Sequence, residues 1–239
     1  MVRDELKDKE YFVKNVKTCS QLIEECIIEL REKKIKKSQI SDVSIGTFDL
    51  SYSKFFCMYS GGYTKEEMKE SFFQTLELIQ AKDNDWEYEF EGEIFPFYMR
   101  KLLVILSIAI LLDMPKDKVE NIIKLIDTIP IRYKILDYYI SYFDSTRKIG
   151  KAQDNEYAFK ELIKMTEMSN EEILSKKMMD KYLKKWYKVR DRVEAHGTHN
   201  NGLDSYGGYW SFESAAFVKM RGLDDSSFRD NVYYPKDLL

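Results

Sequence analysis

Two histidines are all that this chain of 239 residues offers for ordinary general-base chemistry, and both fall in one stretch, "EAHGTH". Glu194, His196 and His199, with Asp204 a little further on, could supply nitrogen and oxygen ligands to a metal. Their spacing is not the His-Glu-x-x-His of a metalloprotease helix, and Gly197 argues against one continuous helix there. The favoured reading is a loop with two ordinary histidines and no metal. No G-x-x-x-x-G-K cradle, G-x-G-x-x-G turn or G-x-S-x-G elbow occurs, so a cofactor is not expected. One carboxylate stands out instead. In "SYGGYWSFESAAFVKMRGLDD", residues 205–225, Glu213 lies among apolar neighbours. On an ideal helix it shares a face with Tyr209, Phe217 and Met220. Such a group is either an acid with a raised pKa or a structural acceptor held by hydrogen bonds. No base or nucleophile lies at a motif spacing from Glu213, and the chain has 17 tyrosines whose hydroxyls could hold it. The residues therefore favour the structural role, with no catalytic residue and no enzyme activity.

A second pattern is electrostatic. In "DNDWEYEFEGE", acids Asp83, Asp85, Glu87, Glu89, Glu91 and Glu93 take every second position, with Trp86, Tyr88 and Phe90 between them. Extended, such a segment carries carboxylates on one edge and rings on the other. It can be a solvated connector whose rings tuck under neighbouring helices. Alternatively it is an anionic strip that steers a cationic surface into place, with aromatic anchors beside it.

The elements that must carry these groups read as helices. Gly and Pro number only 10 and 4, and 44% of residues are hydrophobic. Phe12, Val16, Cys19, Ile23, Cys26 and Leu30 alternate steps of four and three, predicting a helix over 4–37 whose last turns are basic. "LSYSKFFCMYSGGY" predicts a second helix closed by Gly61 and Gly62. Thr64-x-x-Glu67 opens a third over 65–82, and Ser169-x-x-Glu172 opens "EEILSKKMMDKYLKKWYKVRDRV". "LLVILSIAILL", 102–112, is too short for the roughly 20 residues a bilayer demands and predicts a buried helix over 95–113. A shorter helix follows over 116–127, and "IRYKILDYYISYF" and "EYAFKELIKM" are helical as well. The expected fold is all-α, a two-part helical bundle of about nine or ten helices. Pro130 is the natural division, giving 1–128 and 129–239.

The net charge is −3, too small for bulk nucleic-acid binding. Residues 1–128 carry 19 basic and 24 acidic side chains, against 19 and 17 in the rest. Cys19, Cys26 and Cys57 form no Cys-x-x-Cys pair, and a reducing compartment suits them. The charged start, "MVRDELKDKEYF", has no apolar signal core. A cytoplasmic protein without membrane contact is expected.

The endings "YGGYWSFESAAFVKMRGLDDSSFRD" and "NVYYPKDLL" resemble the C-terminal domain of the PoNi immunity proteins, partners of polymorphic nuclease toxins. The shared pattern falls on Gly208, Tyr209, Trp210, Glu213, Ala215, Ala216, Asp224, Asp225, Tyr234, Pro235, Asp237 and Leu238. "RDELKDKEYF", "YSGGYTKEEMK" and "KKWYKVR" resemble that family's N-terminal domain and mid-chain helices. The resemblance implies an all-helical, non-enzymatic protein of the bacterial cytoplasm. It would neutralise a cognate DNase toxin of the restriction-endonuclease-like class, delivered by a contact-dependent secretion system, by stoichiometric binding. A nuclease cleft must attract phosphates, so the 83–93 strip is the expected toxin-binding segment and the C-terminal motif the scaffold. The competing readings are a helical adaptor without a toxin partner and a metal-dependent hydrolase on Glu194, His196, His199 and Asp204. Oligomeric state is left open by these patterns.

Overall fold

Charge and apolar spacing both find their place in ten α-helices, seen in a computed structural model that describes residues 1–32, 34–36, 39–78, 95–129, 131–151, 159–189 and 196–239. No strand occurs among the described residues, so the fold is all-α. The chain forms two compact units, Met1–Glu91 with Gly197–Gly208, and Gly92–His196 with Tyr209–Leu239. Two helices that precede Pro130 in sequence, Phe95–Leu111 and Lys116–Thr128, thus pack with the second unit. Pro130 itself lies outside the described residues.

In the first unit, α1 (Lys9–Arg31) lies along α2 (Ile40–Ser60), and α2 packs on α3 (Lys65–Leu78). Helix α1 is shorter than the periodicity predicts, because carboxylates take up the amides before its start and Glu32 closes its end. Asp4 turns its carboxylate onto the Leu6 and Lys7 amides, and Asp8 caps the helix by accepting from the Tyr11 N–H at 2.8 Å. At the other end Glu32 closes the helix, so the basic run predicted as its final turns begins at Arg31 and continues past it. Helix α2 starts ten residues earlier than its aromatic segment suggested and ends at Gly61. Thr64 and Glu67 exchange bonds as the predicted capping box. Phe12, Phe55, Met58, Met68 and Phe72 fill the core, with Phe55 and Phe72 edge to face at 5.6 Å. Cys57 is buried there, and burial pushes its thiol up to about 12. Cys19 and Cys26 are only half-buried, less than their stripe implied.

The second unit is built on α4 (Phe95–Leu111). Leu102 to Leu112 are buried throughout, each at most 3% exposed, so this apolar run is a core helix. No helix among the described residues is long and apolar enough to cross a membrane. Helices α5 (Lys116–Thr128) and α6 (Lys134–Ile140) contact α4. Then α7 (Lys160–Met165), α8 (Asn170–Ser175), α9 (Met178–Val189) and α10 (Phe212–Arg221) complete the unit. The segment predicted as one helix from Ser169 is two. Its capping box forms, but Lys177 adopts a left-handed backbone with φ of 48° and separates α8 from α9. Gly222, at φ 58°, ends α10 as expected.

Candidate functional site

Helix α9 is amphipathic, with Met178, Met179, Tyr182, Leu183 and Trp186 turned inward. Tyr182 and Trp186 are one turn apart on that face, and both are largely apolar side chains with a polar tip. Across from them, α10 begins with Phe212, and Glu213 is its second residue, 0% exposed. The Tyr182 hydroxyl donates to Glu213 Oε1 at 2.7 Å and the Trp186 indole N–H to the same oxygen at 2.6 Å. Ser211 Oγ adds a third bond at 2.9 Å. The Tyr139 hydroxyl donates to the Glu213 backbone carbonyl at 2.6 Å. Burial first, and the nearby Glu213 charge second, hold the Tyr139 phenol well above its ordinary range, so it stays a donor. Glu213 is thus a clamp between α6, α9 and α10. The described donors on its Oε1 are a phenol, an indole and a hydroxyl, all from buried residues, and together they fix the orientation of the carboxylate.

Tyr209, expected on the Glu213 face of one helix, precedes α10 and lies in the non-helical "YGGYW" approach. There Ser211 N–H bonds the Tyr233 carbonyl at 2.8 Å, and this cross-link sets the entry direction of the helix. Trp210 is buried. Ala215 and Ala216, both 0% exposed, belong to the helix that packs on α4, where small side chains permit close approach. Asp224 is exposed and accepts from the Ser226 N–H and hydroxyl, each at 3.0 Å, which shapes the turn after α10. Asp225 accepts from Arg229 at 2.6 Å and from the Tyr234 hydroxyl at 3.3 Å. Tyr234 packs edge-on against Phe228, Pro235 is buried beside it, and Asp237 is exposed. The motif therefore forms one contiguous stretch of helix entry, close packing and tail anchoring.

A second buried carboxylate is not anticipated by any motif. Asp137, in α6, is 1% exposed. Arg132 donates to it at 2.9 and 3.2 Å, Arg147 Nε at 2.8 Å, and the Gly150 N–H at 2.9 Å. Arg147 also holds Asp127 through two bonds, at 2.7 and 3.1 Å. A Cβ at Gly150 would overlap the Arg132 carbonyl, so the loop can close on Asp137 only with glycine there. The clue was available in "KILDYYI", a lone acid inside an apolar run, the same signal that marks Glu213.

The histidines take other partners. His196 stacks on Tyr187 with centroids 4.2 Å apart, and Tyr187 also stacks on Tyr233 at 5.6 Å and meets Tyr209 edge-on at 4.8 Å. His199 lies against Tyr206 and shares a hydrogen bond with Asn200 at 2.8 Å. Asp204 pairs with Lys14 at 2.6 Å. Glu194 lies outside the described residues, and among those described no three His, Cys, Asp or Glu side chains gather as metal ligands. The strip of Asp83, Asp85, Trp86, Glu87, Tyr88, Glu89, Glu91 and Glu93 also lies outside the described residues.

In solved structures, the fold is similar to protein PA2201 from Pseudomonas aeruginosa, with a TM-score of 0.74 at 15% identity over 99% of this chain and 89% of that one. At that identity the likeness speaks for the fold alone. A comparison with curated proteins finds no match. The family described as PoNe immunity protein (PoNi), N-terminal, matches residues 3–124, and PoNe immunity proteins (PoNi), C-terminal, matches residues 133–238. With both halves matched, this chain belongs to the PoNi family of immunity proteins.

Proposed function

We propose that this protein protects a bacterial cell by binding a cognate DNase toxin in the cytoplasm and blocking it stoichiometrically, without catalysis. Membership of the immunity family over both halves of the chain carries the reading. The buried carboxylate supports it, since Glu213 is spent on holding three helices together. We keep the division into 1–128 and 129–239 as a proposal for how the two family halves are organised.

The toxin-facing surface includes the acidic strip of 83–93. A DNase must present cations to phosphates, and a row of six acids competes for that surface while Trp86 and Tyr88 anchor the contact. Stable inhibitor complexes bury about 1,600 Å² in total, so the strip is one part of a larger footprint. The triple variant Glu87→Lys, Glu89→Lys, Glu91→Lys should associate with the toxin at least about tenfold more slowly and with a flatter salt dependence. It should also protect poorly in cells making the toxin. An unchanged association rate and unchanged protection would remove the strip from the interface. Failure of the wild-type protein to copurify with its cognate DNase toxin, together with equal killing in its presence and absence, would end the immunity reading.

A further inference from the structure

The two compact units differ in charge. Met1–Glu91 with Gly197–Gly208 carries 14 basic and 20 acidic side chains, a balance of −6, whereas the second unit carries 24 and 21, a balance of +3. Much of that excess is concentrated on one helix. Lys181, Lys184 and Lys188 follow one another at steps of three and four along the outer side of α9, and Lys177 caps its start on the same line. All four are exposed, and no described carboxylate pairs with any of them. Neighbouring lysines are treated differently, since Lys185 reaches Glu161 at 3.4 Å and Lys176 reaches Glu172 at 3.0 Å. Asp180, the one acid of α9, accepts instead from the Ser227 hydroxyl at 3.5 Å. Dipole matching accounts for Lys188 in the last turn of α9 and for Lys177 directly after the end of α8, but not for Lys181 near the positive end of α9, where cations are disfavoured.

Next to this row stands the half-buried ring cluster. Tyr187 is one turn from Lys184, and it gathers Tyr209, Tyr233 and His196 around itself. Burial, and then the neighbouring Tyr209, push the Tyr233 phenol up, so its hydroxyl stays a donor. We propose that the α9 lysine row and the adjoining tyrosine cluster form a second docking surface, of opposite sign to the acidic strip, for an acidic surface of the same toxin. The inference rests on the immunity reading and adds to it a partner face bearing carboxylates.

The chemistry favours a protein over a nucleic acid. The row is made of lysines without arginine, and so lacks the forked donors that commonly read phosphates and bases. Tyr187 already has stacked neighbours in His196 and Tyr233, so its faces are used within the cluster and it presents edges and hydroxyls. Those suit carboxylates and backbone carbonyls better than bases, which need an open ring face. Across Lys177 to Lys188 the row is about 16 Å long, at 1.5 Å per residue, and a helix with carboxylates at the same three–four spacing would match it. Tyrosine is also enriched at protein interfaces, whose rims are polar.

The test uses the full chain and its cognate DNase toxin, made with its nuclease activity inactivated, with binding followed across salt concentrations. Lys177→Gln, Lys181→Gln, Lys184→Gln and Lys188→Gln together should weaken binding about tenfold and flatten the salt dependence, with the melting temperature unchanged. Lys116→Glu with Lys124→Glu shifts the net charge equally from α5 and should leave binding within about twofold. Equal loss in both variants would reduce the effect to net charge and overturn the proposal. So would wild-type affinity in the α9 variant. Retardation of a DNA duplex or single strand by the wild type, lost in the α9 variant while toxin affinity is unchanged, would reassign the row to nucleic acid. Wild-type protein that binds no toxin removes the immunity reading and this inference together, whereas tight wild-type binding with an indifferent α9 variant removes only the second.

Discussion

Glu213 and Asp137 belong to the same compact unit and are 0% and 1% exposed, yet their surroundings differ in kind. The described donors to Glu213 Oε1 are neutral and come from α9 and the residue two before it. Asp137 is enclosed by two guanidinium groups and a backbone amide drawn from the loops around α6. In the first arrangement a carboxylate fixes the orientation of large, rigid rings, so it specifies how helices meet. In the second, the attraction of opposite charges offsets desolvation and closes loops onto a helix. Burial of an acid therefore does not by itself signal chemistry, and its donors decide what it does.

The largest effect that would break this comparison is Glu213→Leu. It strands the Tyr182, Trp186 and Ser211 donors in the core, at about 1–3 kcal/mol each, so a loss of about 5 kcal/mol in urea unfolding is expected. Retained wild-type stability would show that the three donors find other acceptors. Next, Arg147→Met leaves Asp137 with Arg132 and the Gly150 amide, and should cost about 3 kcal/mol. A loss below about 1 kcal/mol would mean that Arg132 alone compensates the charge. Glu213→Gln sharpens the contrast, because the amide oxygen can still accept from all three donors. Its cost should be near 2 kcal/mol, the difference between charge-assisted and neutral bonds, and the surviving fold should still bind toxin. Substrate turnover by the wild type that this variant abolished would instead make Glu213 catalytic. The smallest change tests the first unit. Tyr206→Phe removes the 2.6 Å bond to the buried Asp4 carboxylate and should cost about 1 kcal/mol, read as a small drop in melting temperature.

How far the residues alone could be read varies along the chain. The capping boxes at Thr64 and Ser169 are local exchanges between residues three apart, and both form as written. The apolar run at 102–112 could only be stable if covered, and it is the core helix. Asp8 and Asp4 shortened α1, because a carboxylate can satisfy free amides in a turn as well as in a helix, and spacing alone does not choose between the two. The break at Lys177 was invisible for a related reason: a lysine at positive φ carries no compositional mark. Glu213 was legible as a buried acceptor in a tyrosine-rich chain. That Trp186 would join Tyr182 on it was legible only as two amphipathic rings one turn apart.

Sequence by itself determined the helical class, the helix ends marked by a capping box or by Gly61 and Gly222, the charge asymmetry and the family, since all of these depend on neighbours in the chain or on residue order. Tertiary structure alone decided which donors reach Glu213 and Asp137, and which lysines of α9 have a carboxylate within reach. It also brought Gly197–Gly208 back to the first unit, where Tyr206 meets Asp4. Those outcomes rest on side chains separated by tens to hundreds of residues meeting within about 3 Å, a distance set by packing and not by periodicity.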